Sequence, residues 1–186
     1  IMDQGTSEHI KEAAQVISQY CDIIAIRAFA SLTDKAKDES EEVLNGFKKY
    51  ATVPIVNMES STGHPLQALA DAITLAEHNT KDRPNITKDA TIEHDQKKAF
   101  ENADFVYAKN WSNYLNYGMV LNQDPDWMIT KDKLGDAKFM HCLPVRRNVV
   151  VDDAVLDSQQ SLVIEEANNR TYAAQLVLKK ILEDLE

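Results

Sequence analysis

Residues 53–78 read VPIVNMESSTGHPLQALADAITLAEH, and this stretch contains the unit from which the fold is built. Its first part, 53–58, is a short and mostly apolar run with β-branched side chains, which is typical of a buried strand. In residues 65–78 the apolar side chains recur at helical spacing, and Pro65 suits the first turn of a helix. The stretch therefore predicts a strand, a polar loop and a helix in succession.

The same alternation continues on both sides of this stretch. Before it, the pattern predicts a helix capped by Ser7, a strand, and a surface helix whose acidic run 38–42 forms a solvated face, over residues 7–20, 21–27 and 38–50. After it, the pattern predicts a helix, three strands and a long closing helix, over residues 95–103, 105–108, 138–142, 161–164 and 167–185. Such alternation predicts an α/β fold with doubly wound parallel sheets.

Charge and apolar patterning exclude two classes of partner. The chain has 186 residues, of which 20 are basic and 30 acidic, and its net charge is −10 at pH 7. This excess of acid repels phosphate polymers and anionic lipid surfaces. The apolar runs are also far shorter than the roughly 20 residues of a bilayer helix. We therefore expect a cytoplasmic protein that binds neither nucleic acid nor membrane.

The cysteine and histidine residues do not form a metal or redox pattern. Cys21 and Cys142 lie far apart in the sequence, which is typical of reduced thiols. A nucleophilic pair of His141 and Cys142 is disfavoured, because neighbouring residues of a strand point to opposite faces. The five His residues show no metal-ligand spacing, so no metal site is expected.

Ligands of doubly wound sheets bind beyond the carboxyl ends of the strands, and the loop 59–64 follows such an end. His64 and Gln67 are three residues apart and share one face of the first helical turn. That turn presents free backbone N–H groups, which suit an anionic or carbonyl ligand. The alternative is that His64 only caps the helix and Gln67 is a surface amide. Arg27, at the end of the neighbouring strand, favours ligand binding.

A second strand end lies in residues 139–148, which read FMHCLPVRRN. Pro144 stops the strand and is expected to keep Leu143 extended. The carbonyl groups of Cys142 and Leu143 would then accept hydrogen bonds from a ligand. Arg146 and Arg147 follow, and guanidinium groups there could bind carboxylate or phosphate in a bidentate manner.

Two further cations follow predicted strands. Lys109 comes directly after the strand 105–108, where it is either a solvated side chain or a binding residue. Arg170 is expected in the first turn of the closing helix, where the helix dipole disfavours a cation. That position indicates a ligand, although an ion pair with Glu165 or Glu166 would explain it equally well.

Taken together, these motifs resemble the aspartate/ornithine transcarbamylases. The resemblance rests on Arg27 after a strand, His-Pro-Leu-Gln at 64–67, His-Cys-Leu-Pro at 141–144 and the late Arg170, and it extends over nearly the whole chain. Residues 107–111 and 142–148 resemble the branch that acts on N-acylated ornithine, with the succinyl branch closer than the acetyl branch.

The resemblance implies transfer of the carbamoyl group of carbamoyl phosphate to the terminal amine of N-succinylornithine or N-acetylornithine, in arginine biosynthesis. It implies no metal or organic cofactor, and a homotrimer with active sites at subunit boundaries. The catalytic residues that it implies are Arg27, His64, Gln67 and Arg170. Those expected to bind substrate are Glu59, Lys109, Cys142, Leu143 and Arg146, with main-chain carbonyl groups acting at Cys142 and Leu143.

The resemblance also implies a domain division and two departures from the family pattern. Residues 1–63 and the closing helix 166–186 would belong to the carbamoyl phosphate domain, 64–79 to an interdomain helix, and 80–165 to the amino-acid domain. The chain begins after the family's phosphate-binding motif, and a discontinuity is expected near residues 84–85. Both domains are therefore expected to be incomplete, and this chain alone to be inactive.

Two other functions fit the same residues. An ordinary ornithine carbamoyltransferase differs only in its substrate. A non-catalytic doubly wound protein could retain the fold and some anion-binding residues.

Overall fold

The computed structural model describes residues 9–79, 90–111, 116–119 and 124–185. Within them, residues 9–68 and 174–185 form one compact unit, and the described residues of 69–173 form a second. The expected α/β architecture with parallel strands is confirmed. The discontinuity expected near residues 84–85 lies outside the described residues, as does Ser7.

The first unit is built on two parallel strands, β1 (Ile24–Arg27) and β2 (Ile55–Glu59). Helices α1 (Ile10–Ile17) and α3 (Glu42–Tyr50) supply core residues that pack against this sheet, which are Ala14, Leu44 and Phe47. The register shifts after Ile26, so that Arg27 lies opposite Glu59. The last side chains of both strands therefore share one edge of the sheet.

The segment 38–50 differs from the single helix expected. Helix α2 (Lys35–Ser40) ends before Glu41, whose φ of 47° breaks the helix before α3 begins. Asp38 is buried rather than solvated, and accepts hydrogen bonds from the main-chain N–H groups of Ser31 (2.8 Å) and Leu32 (2.9 Å). The expected solvated face is wrong at Asp38, because a carboxylate is needed to satisfy these loop amides.

The second unit contains β3 (Phe105–Ala108) and β4 (Lys138–His141), which are also parallel. Ala108 lies opposite His141, so both strands end at the same edge. Its core consists of apolar residues from the strands and from the segments that follow them, among them Val106, Phe139, Val150, Val151 and Val155. Around this core lie α5 (Gln96–Phe100), a 3₁₀ turn (Pro125–Trp127), α6 (Lys131–Leu134) and α7 (Asp153–Leu156).

Two helices have residues in both units. Helix α4 (Pro65–His78) has the bounds that the sequence predicts. Helix α8 (Val163–Leu185) begins earlier than expected, and the predicted strand 161–164 is wrong. Residues 161–164 form only one parallel bridge, from Ser161 to Phe139, and helix α8 begins two residues later.

Hydrogen bonds join α4 to α8 within the second unit. The Asn169 side chain donates to the Thr74 hydroxyl (2.9 Å) and to a Glu77 carboxylate oxygen (2.8 Å). His78 Nε2 lies 2.6 Å from Glu165 Oε2. Because Thr74 and Asn169 are buried, their hydrogen bond aligns the two helices away from solvent.

Helix length and apolar content give no candidate for a membrane span in the described part of the chain.

Candidate functional site

One cluster of charged side chains lies at the carboxyl ends of β1 and β2. Glu59 Oε2 accepts hydrogen bonds from Arg27 Nη2 (3.0 Å) and Nε (3.2 Å). The same oxygen lies 3.8 Å from His64 Nε2. The structure therefore brings together Arg27, Glu59 and His64, all of which the sequence predicts as site residues.

Arg27 remains accessible to a ligand despite its pairing with Glu59. Its side chain is 55% exposed, and its Cζ atom lies 4.5 Å above the centroid of the Phe29 ring. This stacking holds the guanidinium plane while its remaining N–H groups can donate. Arg27 can therefore bind an anion beside His64.

His64 also caps α4. Its Nδ1 accepts a hydrogen bond from the main-chain N–H of Gln67 at 3.3 Å. A ring nitrogen that accepts carries no proton, so the neutral ring has its proton on Nε2, which faces Glu59. The capping alternative is thus correct but incomplete. Gln67 is buried, with 5% of its surface exposed, so it is not a surface amide.

A second cluster lies at the carboxyl ends of β3 and β4, in the other unit. After His141 the chain turns sharply, with a φ of 55° at Leu143 and a cis peptide bond between Leu143 and Pro144. The expectation that Leu143 is extended is wrong. Its N–H donates to His141 Nδ1 at 2.9 Å, and this bond folds the turn back toward the strand. Asn110 ties the end of β3 to the same turn by donating to the Pro144 carbonyl at 2.9 Å.

The two arginines of this turn have different surroundings. Arg147 pairs with the carboxylates of Asp153 and Asp157, each at 2.7 Å. The hydrogen bonds that Arg147 donates to Asp157, and to a smaller extent the one to Asp153, raise the pKa of Arg147 above its ordinary value. Surface aspartates therefore already pair with the guanidinium group of Arg147, and ligand binding by this residue stays a prediction.

Arg146 has unused hydrogen-bonding capacity. Its Nη2 donates to the Trp111 carbonyl at 3.2 Å. Its Nε is buried and has no hydrogen-bond partner among the described residues. Unlike Arg147, Arg146 has no carboxylate partner among the described residues, so it is the arginine of this turn whose charge is not already paired.

Lys109 lines a cleft of about 560 Å³ together with residues of β3, Trp111 and Trp127. Burial, followed by the positive charge of Lys109, lowers the pKa of His141. His141 is therefore a neutral structural residue, with Nδ1 as an acceptor. A cation and two indole rings can bind a ligand that carries a carboxylate on an apolar chain.

Arg170 does not lie where the sequence predicts. It follows the first residue of α8 by seven positions, which is about two turns. Its Nε donates to the Ala167 carbonyl at 3.3 Å. The interpretation from the helix dipole is wrong, because the dipole acts mainly in the first turn.

Sequence reasoning missed a buried acidic group at the end of β4. Glu166 is fully buried, and its Oε2 accepts a hydrogen bond from the main-chain N–H of His141 at 2.9 Å. Burial, together with the hydrogen bond and charge of Asp71, raises the pKa of Glu166 to about 7. The signal in the sequence is helical spacing, since Glu166 lies on the buried face of α8 with Val163, Asn169 and Ala173.

Comparison with known families matches nearly the whole chain. Residues 1–77 match the carbamoyl-P binding domain of aspartate/ornithine carbamoyltransferase, and residues 50–181 match its Asp/Orn binding domain. The chain belongs to the aspartate/ornithine carbamoyltransferase family.

Its relatives favour the acylornithine branch of this carbamoyltransferase family. An N-succinylornithine carbamoyltransferase of Bacteroides thetaiotaomicron is 39% identical over 235 residues, an alignment that covers 100% of this chain and 74% of the relative. An N-acetylornithine carbamoyltransferase of Xanthomonas campestris is 30% identical, over 98% of this chain and 74% of its own. The alignment with the Bacteroides enzyme is longer than the 186 residues of this chain. The Bacteroides enzyme therefore has positions without a counterpart here.

A solved carbamoyltransferase has the same fold. The crystal structure of acetylornithine transcarbamylase complexed with acetylcitrulline aligns with a TM-score of 0.79 and 29% identity. The match covers 97% of this chain and 74% of that one. The fold expected from the motifs is confirmed.

Proposed function

We propose that the protein transfers the carbamoyl group of carbamoyl phosphate to the terminal amine of an N-acylated ornithine, with N-succinylornithine preferred to N-acetylornithine. This reaction belongs to arginine biosynthesis. The observation that carries the proposal is the meeting of Arg27 and His64 at one strand edge in a chain of this family. The greater identity to the succinylornithine enzyme supports the choice of acyl group.

The first cluster would act on carbamoyl phosphate. The neutral amine attacks the carbamoyl carbon, the carbonyl oxygen gains negative charge, and phosphate then leaves as the amine loses a proton. Arg27 and His64 can donate to the oxygens that gain charge, where preorganised donors lower the barrier most. We assign Arg170 to the leaving phosphate, because a guanidinium group suits its oxygens.

The carbamoyl NH₂ group needs acceptors. Gln67 and the main-chain carbonyl groups of Cys142 and Leu143 would supply them. We assign Lys109 and Arg146 to the carboxylates of the acylated amino acid, since both are cationic and Arg146 has no carboxylate partner among the described residues. Glu59, expected to contact the amino acid, would also orient Arg27 and His64 through its shared oxygen.

The domain assignment is part of the same proposal. Residues 1–63 and 166–186 would form the carbamoyl phosphate domain and 80–165 the amino-acid domain, with 64–79 joining them. The two compact units support a two-part division with shifted boundaries, since residues 64–68 lie in the first unit and residues 69–79 and 166–173 in the second.

We also propose a cytoplasmic homotrimer. Both cysteines carry free thiols, which supports a reducing compartment. Sedimentation equilibrium would test the assembly, with three times the chain mass expected and a stable monomer contradicting it. No cofactor is invoked, and no group of three or more His, Cys, Asp or Glu side chains suited to a metal occurs in the described ranges.

The test is carbamoyl transfer by the natural full-length protein that carries this sequence. Carbamoyl phosphate is supplied with N-succinylornithine, N-acetylornithine or ornithine, and the citrulline derivative is measured. We expect turnover of both acylated amines, with the larger kcat/KM for the succinyl compound. Turnover of ornithine alone would reassign the substrate. Binding of a bisubstrate analogue without any turnover would indicate a non-catalytic protein.

A further inference from the structure

Glu166 joins four elements of the second unit at the carboxyl end of its sheet. From α8 its carboxyl group reaches the main-chain N–H of His141 at the end of β4, at 2.9 Å. It also forms hydrogen bonds with Asp71 on α4 and with the Tyr107 hydroxyl on β3. The side chain has no exposed surface.

The residue that Glu166 holds is next to the turn proposed to bind the carbamoyl group. His141 directly precedes Cys142, and its ring accepts the N–H of Leu143 at 2.9 Å. A displacement of His141 would therefore move both carbonyl groups. A small misplacement of a binding group is enough to slow an enzyme roughly 100-fold.

We propose that Glu166 is a positioning residue that holds the end of β4, and with it the carbonyl groups of Cys142 and Leu143, against β3 and α4. The inference rests on the proposed function, because it assigns those carbonyl groups to the carbamoyl NH₂.

The proton on Glu166 is part of this role. A protonated carboxyl can donate to Asp71 while its other oxygen accepts from His141. An ionised Glu166 loses the donor and places two carboxylates in contact inside the protein, which is unfavourable. Asp71 from α4, Tyr107 from β3 and the main chain of His141 from β4 face Glu166. Cys142 lies beside Tyr107. The charge of Lys109 acts on the neighbouring His141 ring.

Glu166→Gln keeps the shape of the side chain but cannot ionise, so it tests the role of the proton alone. Its amide can donate to Asp71 and accept from His141 at every pH, whereas Glu166→Ala can do neither. The matched control is Glu165→Gln. In the wild-type protein the Glu165 carboxylate is exposed and pairs with His78. Ionisation of the substrate amine affects all variants alike. The pH dependence of the ratio of variant to wild-type kcat/KM therefore reports only the ionisation of groups in the protein.

We expect kcat/KM for N-succinylornithine in Glu166→Gln to equal that of the wild type at about pH 6. Above pH 7 the ratio rises, by at most tenfold per pH unit. Glu165→Gln gives a flat ratio near one. Glu166→Ala loses roughly 10- to 100-fold at low pH. If the alanine variant does not fold, the pH profile of the glutamine variant still decides.

In an active wild-type protein, wild-type kcat/KM in a folded Glu166→Ala variant would overturn the positioning role, and a flat ratio for Glu166→Gln would overturn the part assigned to its proton. Both results leave the proposed function intact. Absence of turnover in the wild-type protein would contradict the proposed function, and the positioning role with it.

Discussion

Among single residues, Glu59 holds together the cluster at the carboxyl ends of β1 and β2, because it contacts both Arg27 and His64. One carboxylate oxygen meets Arg27 at 3.0 Å and His64 at 3.8 Å. We predict that Glu59→Gln lowers kcat/KM for carbamoyl phosphate roughly 10- to 100-fold, because both donors lose the charge that orients them. Steady-state kinetics would measure this.

The control for this substitution is Glu39→Gln, since Glu39 pairs only with the exposed Lys35 among the described residues. It should leave kcat/KM and the thermal midpoint unchanged. Equal kinetics for Glu59→Gln and the wild type would show that Glu59 has no orienting role.

Arg146 and Arg147 form a matched pair, because they are adjacent and have the same charge. Arg146 donates to the Trp111 carbonyl and has no carboxylate partner among the described residues, whereas Arg147 is exposed and bound to two aspartates. We predict that Arg146→Ala raises KM for the acylated ornithine roughly tenfold or more, as expected for a lost hydrogen bond to a charged group. Arg147→Ala should change KM by less than twofold. The same KM increase in both variants would contradict the distinction.

At the scale of elements, the sequence predicts those whose pattern is strong and local. Helix α4 and strand β3 have the predicted bounds, because each has a continuous periodicity. Residues 161–164 are also apolar, yet they form a bridge and a helix start, since a four-residue apolar run fits either structure. The break at Glu41 depends on a left-handed backbone that the sequence pattern does not indicate.

The joint between α4 and α8 allows a quantitative test. The Asn169 side chain donates to the Thr74 hydroxyl at 2.9 Å, and both side chains are buried. We predict that Thr74→Val and Asn169→Ala each lower the free energy of unfolding by about 1–3 kcal/mol. In a double-mutant cycle the coupling should be about 1 kcal/mol.

Urea denaturation would measure the cycle, with Ser40→Ala as an exposed control on another helix. Additive effects would show that this hydrogen bond does not couple the helices.

At the scale of the whole molecule, the site residues that the sequence predicts are those at strand ends. Arg27, Glu59 and His64 meet because parallel strands end at one edge. Glu166 escaped prediction, because its partners come from α4, β3 and β4 and only the tertiary structure brings them together. The sequence also did not indicate that Arg147 pairs with Asp153 and Asp157, because both ion pairs depend on the tertiary structure of the turn.

The buried proton of Glu166 should also affect the stability of the molecule. Its pKa is about 7 in the folded protein, against an ordinary value of 4.5. Between these values only the folded state keeps the proton, so the free energy of unfolding falls as pH rises from about 4.5 to about 7 and then levels off. The loss is on the order of 3 kcal/mol. Glu166→Gln should lack this component, whereas Glu165→Gln should follow the wild type. Urea denaturation across this range measures the difference, and parallel curves for Glu166→Gln and the wild type would contradict a proton held on Glu166.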